Sequence, residues 1–553
     1  MENANMAVVN GGPVLPILAA ASGVIVHQGI FRHGDWHLSG PRIIASHLAL
    51  GSVVLYYLGL QGNTFTGSLG RTAVLAAAYL FGLYSSMIIY RLYFHRISSF
   101  KGPRMAAITK LWHVWHIRDS KNHLFQQKIY EKYGSVVRTG PNEITVFKPA
   151  AFELLDGVGN DTTRDIWYDI LWPRSSAVFT RDKLAHKAGR KFWNQGFSSK
   201  SNNDYHPRNL DLVQTLSRCI RSFGTDPIDV DKLMSWYSFD LMGEVLFGED
   251  FNLTKSKITH PGIEHRDRAL ALAGPVGDAI WIALLGFQLL PTFWRIKDWN
   301  NMINFCDEHM TERRKRGNNG KTDLATYFIE EYENTAKTKS KKERELYLSG
   351  TTVTAVVAGS DTSRAGLIGL WWFLSKYPEH AKKIQAEVDD IDEKDPVILA
   401  NLPHLNGVIN ETLRLAPPVM TGVNRITGPN GLLIDDVMIP PGVKVTCPKY
   451  VLQRMESAWA RPQEFLPERW YSQPDLIKDK RAFTPFSTGP RNCPGKNLSY
   501  ASMRLVAAII MKEFDVSFAP GYDEQTMWRD MRDQVTAQPG VVFCVFRPRQ
   551  RRD

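Results

Sequence analysis

Apolar positions dominate the first hundred residues in three runs separated by short polar stretches. Ala7 to His27 carries no fixed charge, Ile43 to Leu60 is broken mainly at Ser46-His47, and Thr72 to Tyr90 forms the third run. Each approaches the roughly 20 residues that a helix needs to cross a bilayer. The pattern predicts a membrane region at 1–94 with about three transmembrane helices near 7–27, 43–60 and 72–90. Gly11, Gly12, Pro13 and Pro16 weaken the first run, although membrane helices tolerate such residues. The acidic start at Glu2 and the two later apolar runs fit a cleaved signal peptide poorly.

Beyond this region the pattern changes to that of a folded domain. Residues 95–110, with Gly102-Pro103, read as a linker, and 111–553 as one cytosolic domain. Helical periodicity is expected near 120–133 and through most of 205–420, with short strands around 135–147, 421–450 and 540–547. The fold class is mainly α with minor β. Ala279 to Pro291 is apolar but too short to span a bilayer. It reads as a buried helix, or alternatively as an element that dips into the membrane or admits a substrate.

Charge orients the chain. Arg91, Arg96, Lys101 and Arg104 follow the third run, Arg32 and Arg42 lie between the first two, and only Arg71 lies between the second and third. The excess of basic residues on one side of a membrane marks the cytosolic face. Three crossings then place everything after about residue 95 in the cytosol. The five cysteines, Cys219, Cys306, Cys447, Cys493 and Cys544, are odd in number and never form a CxxC, which suits a reducing compartment. The net charge of +11 permits an acidic partner or membrane surface. No nucleic-acid motif accompanies the basic clusters at 313–316 and 337–344, which read first as solvated helix ends or loops.

One segment carries most of the chemistry: Phe486-Ser-Thr-Gly489-Pro-Arg491-Asn-Cys493-Pro-Gly495. A cysteine thiolate can ligate haem iron and push electron density toward O–O cleavage. Gly489 and Gly495 let the backbone turn tightly about the sulfur. Backbone N–H groups and the N-terminus of a following helix, Leu498 to Lys512, would favour its thiolate. Phe486 would shield the ligand side and Arg491 would meet a haem propionate. A buried structural cysteine in a glycine loop is the bland reading. The decapeptide resembles the haem-binding loop of the cytochrome P450 superfamily.

Three further motifs follow the order that this resemblance implies. Glu411-Thr-Leu-Arg414, with Arg469 downstream, would form a buried structural triad. Asp361-Thr362, next to Gly359, would organise water and pass protons, where otherwise they are a solvated polar patch on a helix. His186 and Arg190 share a helix face and, with Arg425, would hold the haem propionates, the alternative being a basic surface face. The apolar pocket would draw on Trp167, Trp172, Phe179, Val357, Met420 and Val423.

The stretches from Trp167-Tyr-Asp to His186 and from Arg190-Lys-Phe-Trp193 to Phe197-Ser198 resemble filamentous-fungal P450s of secondary metabolism. Such resemblance implies haem b with Cys493 as iron ligand, O2, and NADPH-derived electrons from a cytochrome P450 reductase. Cytochrome b5 is an optional second donor. It also implies a multi-pass location in the endoplasmic reticulum membrane, contact with lipid, and a hydrophobic terpenoid, meroterpenoid, polyketide or prenylated indole substrate. Desaturation, epoxidation or ring rearrangement is the alternative to oxygen insertion. A haem-sensing membrane protein without turnover is the remote alternative.

Overall fold

A computed structural model describes residues 12–318, 320–422 and 424–550. Its central element is the helix Lys341–Lys376, 36 residues or about 54 Å at 1.5 Å per residue. Ser340 and Glu343 start it with a reciprocal capping box, each side chain bonding the other's backbone N–H. Pro378 ends it by forcing Tyr377 out of the helical region. From Leu348 to Ser375 its side chains are buried except at Val357, Ala358, Gly359, Thr362 and Ser363. That open patch faces a cavity described below.

The helix Val230–Phe247 lies alongside and is buried at every position but Asp231 and Lys232. Its buried carboxylates are paired, Asp240 accepting from Leu253 N and Thr254 N and Glu244 meeting Arg208. Gly248 closes it in the left-handed conformation, φ 66°. The helix Lys496–Glu513 follows the cysteine loop directly and is buried over most of its later part, from Ser502 to Met511.

Sheet content is small. The principal sheet has five strands in the order Val136–Gly140, Glu143–Val146, Lys444–Thr446, Asn424–Ile426 and Thr163–Arg164. Its edge register sets Arg164 opposite Arg425. A separate hairpin, Arg532–Gln534 with Thr536–Gln538, turns at Val535. Val535 has φ 74°, an unfavourable conformation for a β-branched residue. Hydrogen bonds from Asp533 N to the Ser120 carbonyl and from Ala537 N to the Pro418 carbonyl hold it there.

The N-terminal helices are Val14–Val26, Gly40–Leu60 and Phe65–Ile89. The first is continued by wider turns to Phe31 and the third to Phe94. Their bounds differ from the expected runs because helices extend through flanking polar residues. Residues 7–11 of the first expected run lie outside the described residues. First and third helices touch where Gly23 faces the Tyr79 carbonyl and Gly82 faces the Ala20 carbonyl, with no room for a Cβ at either. Small residues at such crossings let membrane helices approach closely.

Among the described residues, four segments are long and apolar enough to cross a membrane: Val14–Phe31, Gly40–Leu60, Phe65–Phe94 and Pro261–Leu289. The fourth consists of two helices, Pro261–Val276 and Ile280–Leu289. Ile280, Ala283 and Leu284 pack into the domain, while Leu289, Leu290 and Phe293 are exposed. Leu285 meets Gly40 of the second N-terminal helix. The expected linker at 95–110 is in fact folded. Ile97, Ala106 and Ala107 are buried, Arg104–Ile108 is helical, and Arg138 N bonds the Lys101 carbonyl at 2.8 Å.

Candidate active site

Cys493 sits in a loop that its own backbone ties shut. Its N–H donates to the Phe486 carbonyl at 2.8 Å. Gly489 takes φ 67° and lies so close to the Asp156 carbonyl that any Cβ would collide with it. Cys493 is the one cysteine of the five that is exposed, and it faces the interior of a cavity of about 480 Å3. That volume is ordinary for a small-molecule site. Withdrawal from bulk water pushes its thiol up, opposed by the Gly495 N–H and by Arg190, Lys449 and Lys496. Phe486, Arg491 and Gly495 line the same cavity, whereas Gly489 acts from behind through the turn.

A basic rim borders this floor. Arg190 grips the loop, its Nη2 donating to Asn492 Oδ1 at 2.7 Å and its Nη1 to the Asn492 carbonyl. Arg491 donates to the Thr180 carbonyl at 3.1 Å. His186 is driven down to about 3 by burial and by Arg491, Arg164, Arg190 and Arg425, so its imidazole is neutral.

Arg425 is anchored by protein partners. It does not line the cavity: its Nε donates to Asp156 at 2.6 Å and its Nη1 to the Tyr168 hydroxyl at 3.0 Å. Its cross-strand neighbour Arg164 lines the cavity instead. Arg164 stacks 4.0 Å over the Tyr168 ring, and its buried Nε and Nη1 have no hydrogen-bond partner among the described residues. Burial lowers it to about 9. Lys449, equally buried and pulled down to about 8 by desolvation, also borders the cavity. Neither residue belongs to a local motif. Only the strand register and the loop contacts bring them here.

The opposite wall is the open patch of the long helix. Thr362 lines it and donates its hydroxyl to the Ala358 carbonyl at 2.7 Å. A Cβ on Gly359 would meet only Met242 Cγ, at 3.6 Å. Asp361 points elsewhere, contrary to its expected place beside Thr362 in the cavity. Thr536 and Gln538 donate to its Oδ2, and Arg364 and Arg266 stand 3.1 and 3.6 Å from its Oδ1. The helix turn that aims Thr362 inward necessarily rotates its neighbour by about 100°.

Of the expected pocket residues, Trp167, Phe179 and Val357 line the cavity. Met420 is fully buried behind the wall, and its neighbours Val419 and Thr421 face inward instead. Trp172 is 44% exposed on the outer surface, turned away at the start of the Pro173 bend. Val423 lies outside the described residues.

Below the floor, Glu411 accepts from Arg414 at 2.7 and 2.9 Å and from Arg469 Nε at 2.9 Å. All three side chains are inaccessible to solvent. Trp470 Nε1 and Leu466 N complete the carboxylate's coordination at 3.0 Å each.

A thiol floor, a small-residue helix face opposite it and a cationic rim define a slot for a flat dianionic group. A family model described as Cytochrome P450 matches residues 103–545. The chain belongs to the cytochrome P450 family. P450 enzymes are monooxygenases that hold haem iron through a cysteine thiolate, and the orphaned guanidinium atoms of Arg164 fit a propionate of that group.

Among curated P450 relatives, tryprostatin B 6-hydroxylase of Aspergillus fumigatus is 31% identical over 529 residues, covering 93% of each chain. The P450 monooxygenase phqL of Penicillium fellutanum is 30% identical over 537 residues, covering 94% of each. The P450 monooxygenase lcsK of Purpureocillium lilacinum is 31% identical over 546 residues, covering 96% of this chain and 97% of the relative. The similarity to these P450s therefore reaches into the N-terminal helices.

Proposed function

We propose that this P450 inserts one oxygen atom from O2 into a hydrophobic fungal secondary metabolite, with Cys493 as iron ligand. The observation that carries this reading is the pairing of Cys493 and Thr362 on the walls of one cavity with a cationic rim. Haem held there supplies dioxygen activation, fed by electrons from an NADPH–cytochrome P450 reductase. Arg164, Arg190, Arg491 and neutral His186 hold its propionates. Arg425 acts indirectly, fixing Tyr168 beneath Arg164.

Thr362 donates its hydroxyl hydrogen bond to the Ala358 carbonyl, so its oxygen lone pairs are left to orient water in the cavity. Asp361 is a positioning group that pins the Thr536–Gln538 strand to the long helix. The apolar walls, with Trp167 and Phe179 stacked at 6.0 Å, favour an aromatic or terpenoid skeleton. The relative named for 6-hydroxylation of tryprostatin B supports a substrate of that general kind.

We place the enzyme in the endoplasmic reticulum membrane with its catalytic domain in the cytosol. Asp35 pairs with Arg181 at 2.7 Å and His37 with Asp169 at 2.8 Å. These contacts join the loop after the first span to the domain after the third. Both segments then lie on one face, as three crossings require.

The reduced carbon-monoxide difference spectrum tests the central reading. Folded, haem-loaded protein gives the red-shifted Soret band of thiolate ligation, and Cys493→Ala loses it. Folded, haem-loaded wild type without that band sinks the proposal. With substrate in hand, Thr362→Ala consumes O2 and NADPH but yields less product. An unchanged product yield removes Thr362 from the proton path.

A further inference from the structure

One carboxyl group on the cavity wall has no part in the chemistry above. Asp533, in the strand Arg532–Gln534, is 6% exposed and lines the cavity beside Thr421, Asn122 and Asp278. Most of the other wall is apolar.

The polar groups at this pole form a chain of hydrogen bonds. Asn122 Oδ1 bonds His113 Nε2 at 3.0 Å, and Asn122 Nδ2 donates to the Thr421 hydroxyl at 3.2 Å. Thr421 accepts that N–H and donates its hydroxyl to Asp533 Oδ2. Its other oxygen has no hydrogen-bond partner among the described residues. The nearby cations are committed elsewhere: Lys110 Nζ lies 2.6 Å from Glu143 and 3.3 Å from Asp278, and Lys444 Nζ lies 2.9 and 3.3 Å from the same two carboxylates. His113 is 3.2 Å from Asp278 and, chiefly through burial, is driven down to about 4.

We infer that Asp533, oriented by Thr421, is the acceptor for an N–H group of an otherwise apolar substrate, so that this P450 takes nitrogen-bearing molecules of the amide or indole class. The inference rests on reading the cavity as the substrate chamber. A buried oxygen with an unused lone pair in an apolar wall rewards a ligand that brings a donor and penalises one that does not. Burial lifts Asp533 to about 7, against the bond from Thr421 and with Asp278 raising it further. Discrimination is therefore largest above that pH, where Asp533 is ionised.

The test uses the full-length, haem-loaded protein above that pH and two probes that differ by one group, N-dodecylacetamide and N-dodecyl-N-methylacetamide. Equilibrium dialysis gives their affinities, and the substrate-induced Soret change reports entry into the chamber. Wild type binds the N–H amide about tenfold tighter, the worth of one hydrogen bond to a charged acceptor. Asp533→Leu binds the two equally, and Thr421→Val narrows the difference. Equal affinity for both amides in wild type, failure to bind either, or a preference that survives in Asp533→Leu overturns the inference. The reduced carbon-monoxide band, recorded on the same samples, separates the two readings. Its absence strikes the haem-thiolate assignment, whereas equal affinities with the band present strike Asp533 alone.

Discussion

At the scale of single residues, burial decides which groups can serve chemistry. Arg164 and Arg425 face each other across two strands, but only Arg425 has a carboxylate partner. Replacing Arg164 with Leu should accelerate haem transfer to apomyoglobin about tenfold, the loss of one charge-assisted bond. Arg425→Leu should instead lower the melting temperature, because it strands Asp156, which is 5% exposed. Glu331 offers a pH test. It is buried beside Tyr347, and desolvation raises it from 4.5 to about 7. The folded state then keeps a proton that the unfolded state has already released. Stability should therefore fall by about 3 kcal/mol as pH rises from 4.5 to about 7. Glu331→Gln should flatten that slope in urea titrations at several pH values. The cysteine loop was legible at this scale because its residues are contiguous. Arg164, Lys449 and Asp533 were not, since each gains its meaning from neighbours far away in sequence.

At the scale of elements, spacing within a helix was readable and direction was not. Glu411 and Arg414, three residues apart, do share a face and meet Arg469. Glu411→Leu should cost about 3–5 kcal/mol by leaving two buried guanidinium groups without their anion. A large drop in the denaturation midpoint and in haem-loaded yield checks this. Asp361 and Thr362 are adjacent in sequence, and the helical turn between them sends one to a buried ion cluster and the other to the cavity. Pairing them by sequence assumed a common direction that consecutive helical residues do not share. In the membrane region, Gly82→Leu should separate the first and third helices, costing about 1–3 kcal/mol by overpacking. Scanning fluorimetry in detergent should show a lower first transition, with the carbon-monoxide spectrum intact.

At the scale of the whole molecule, the domain is bound to its anchor at more than one point. Asp169 receives both His37 and Arg181, and Leu285 rests on Gly40. Asp169→Ala should raise hydrogen exchange across residues 32–39 while leaving haem absorption unchanged. The helix-rich class and the apolar leader were visible in composition and periodicity alone. The folding of 95–110 against the sheet was not, because its contacts, such as Lys101 with Arg138, are nonlocal.

The cross-strand arginines carry a consequence for the protein's life in the cell. Two cations set side by side oppose the sheet that holds them, and Asp156 offsets only one of them. On the proposed placement of the propionates, an anionic cofactor offsets the other only after it docks, so it also acts as a stabilising ligand by mass action. Where porphyrin supply runs short, newly made chains should then be turned over faster rather than accumulate as idle enzyme. Steady-state abundance would track iron and porphyrin nutrition at constant transcript.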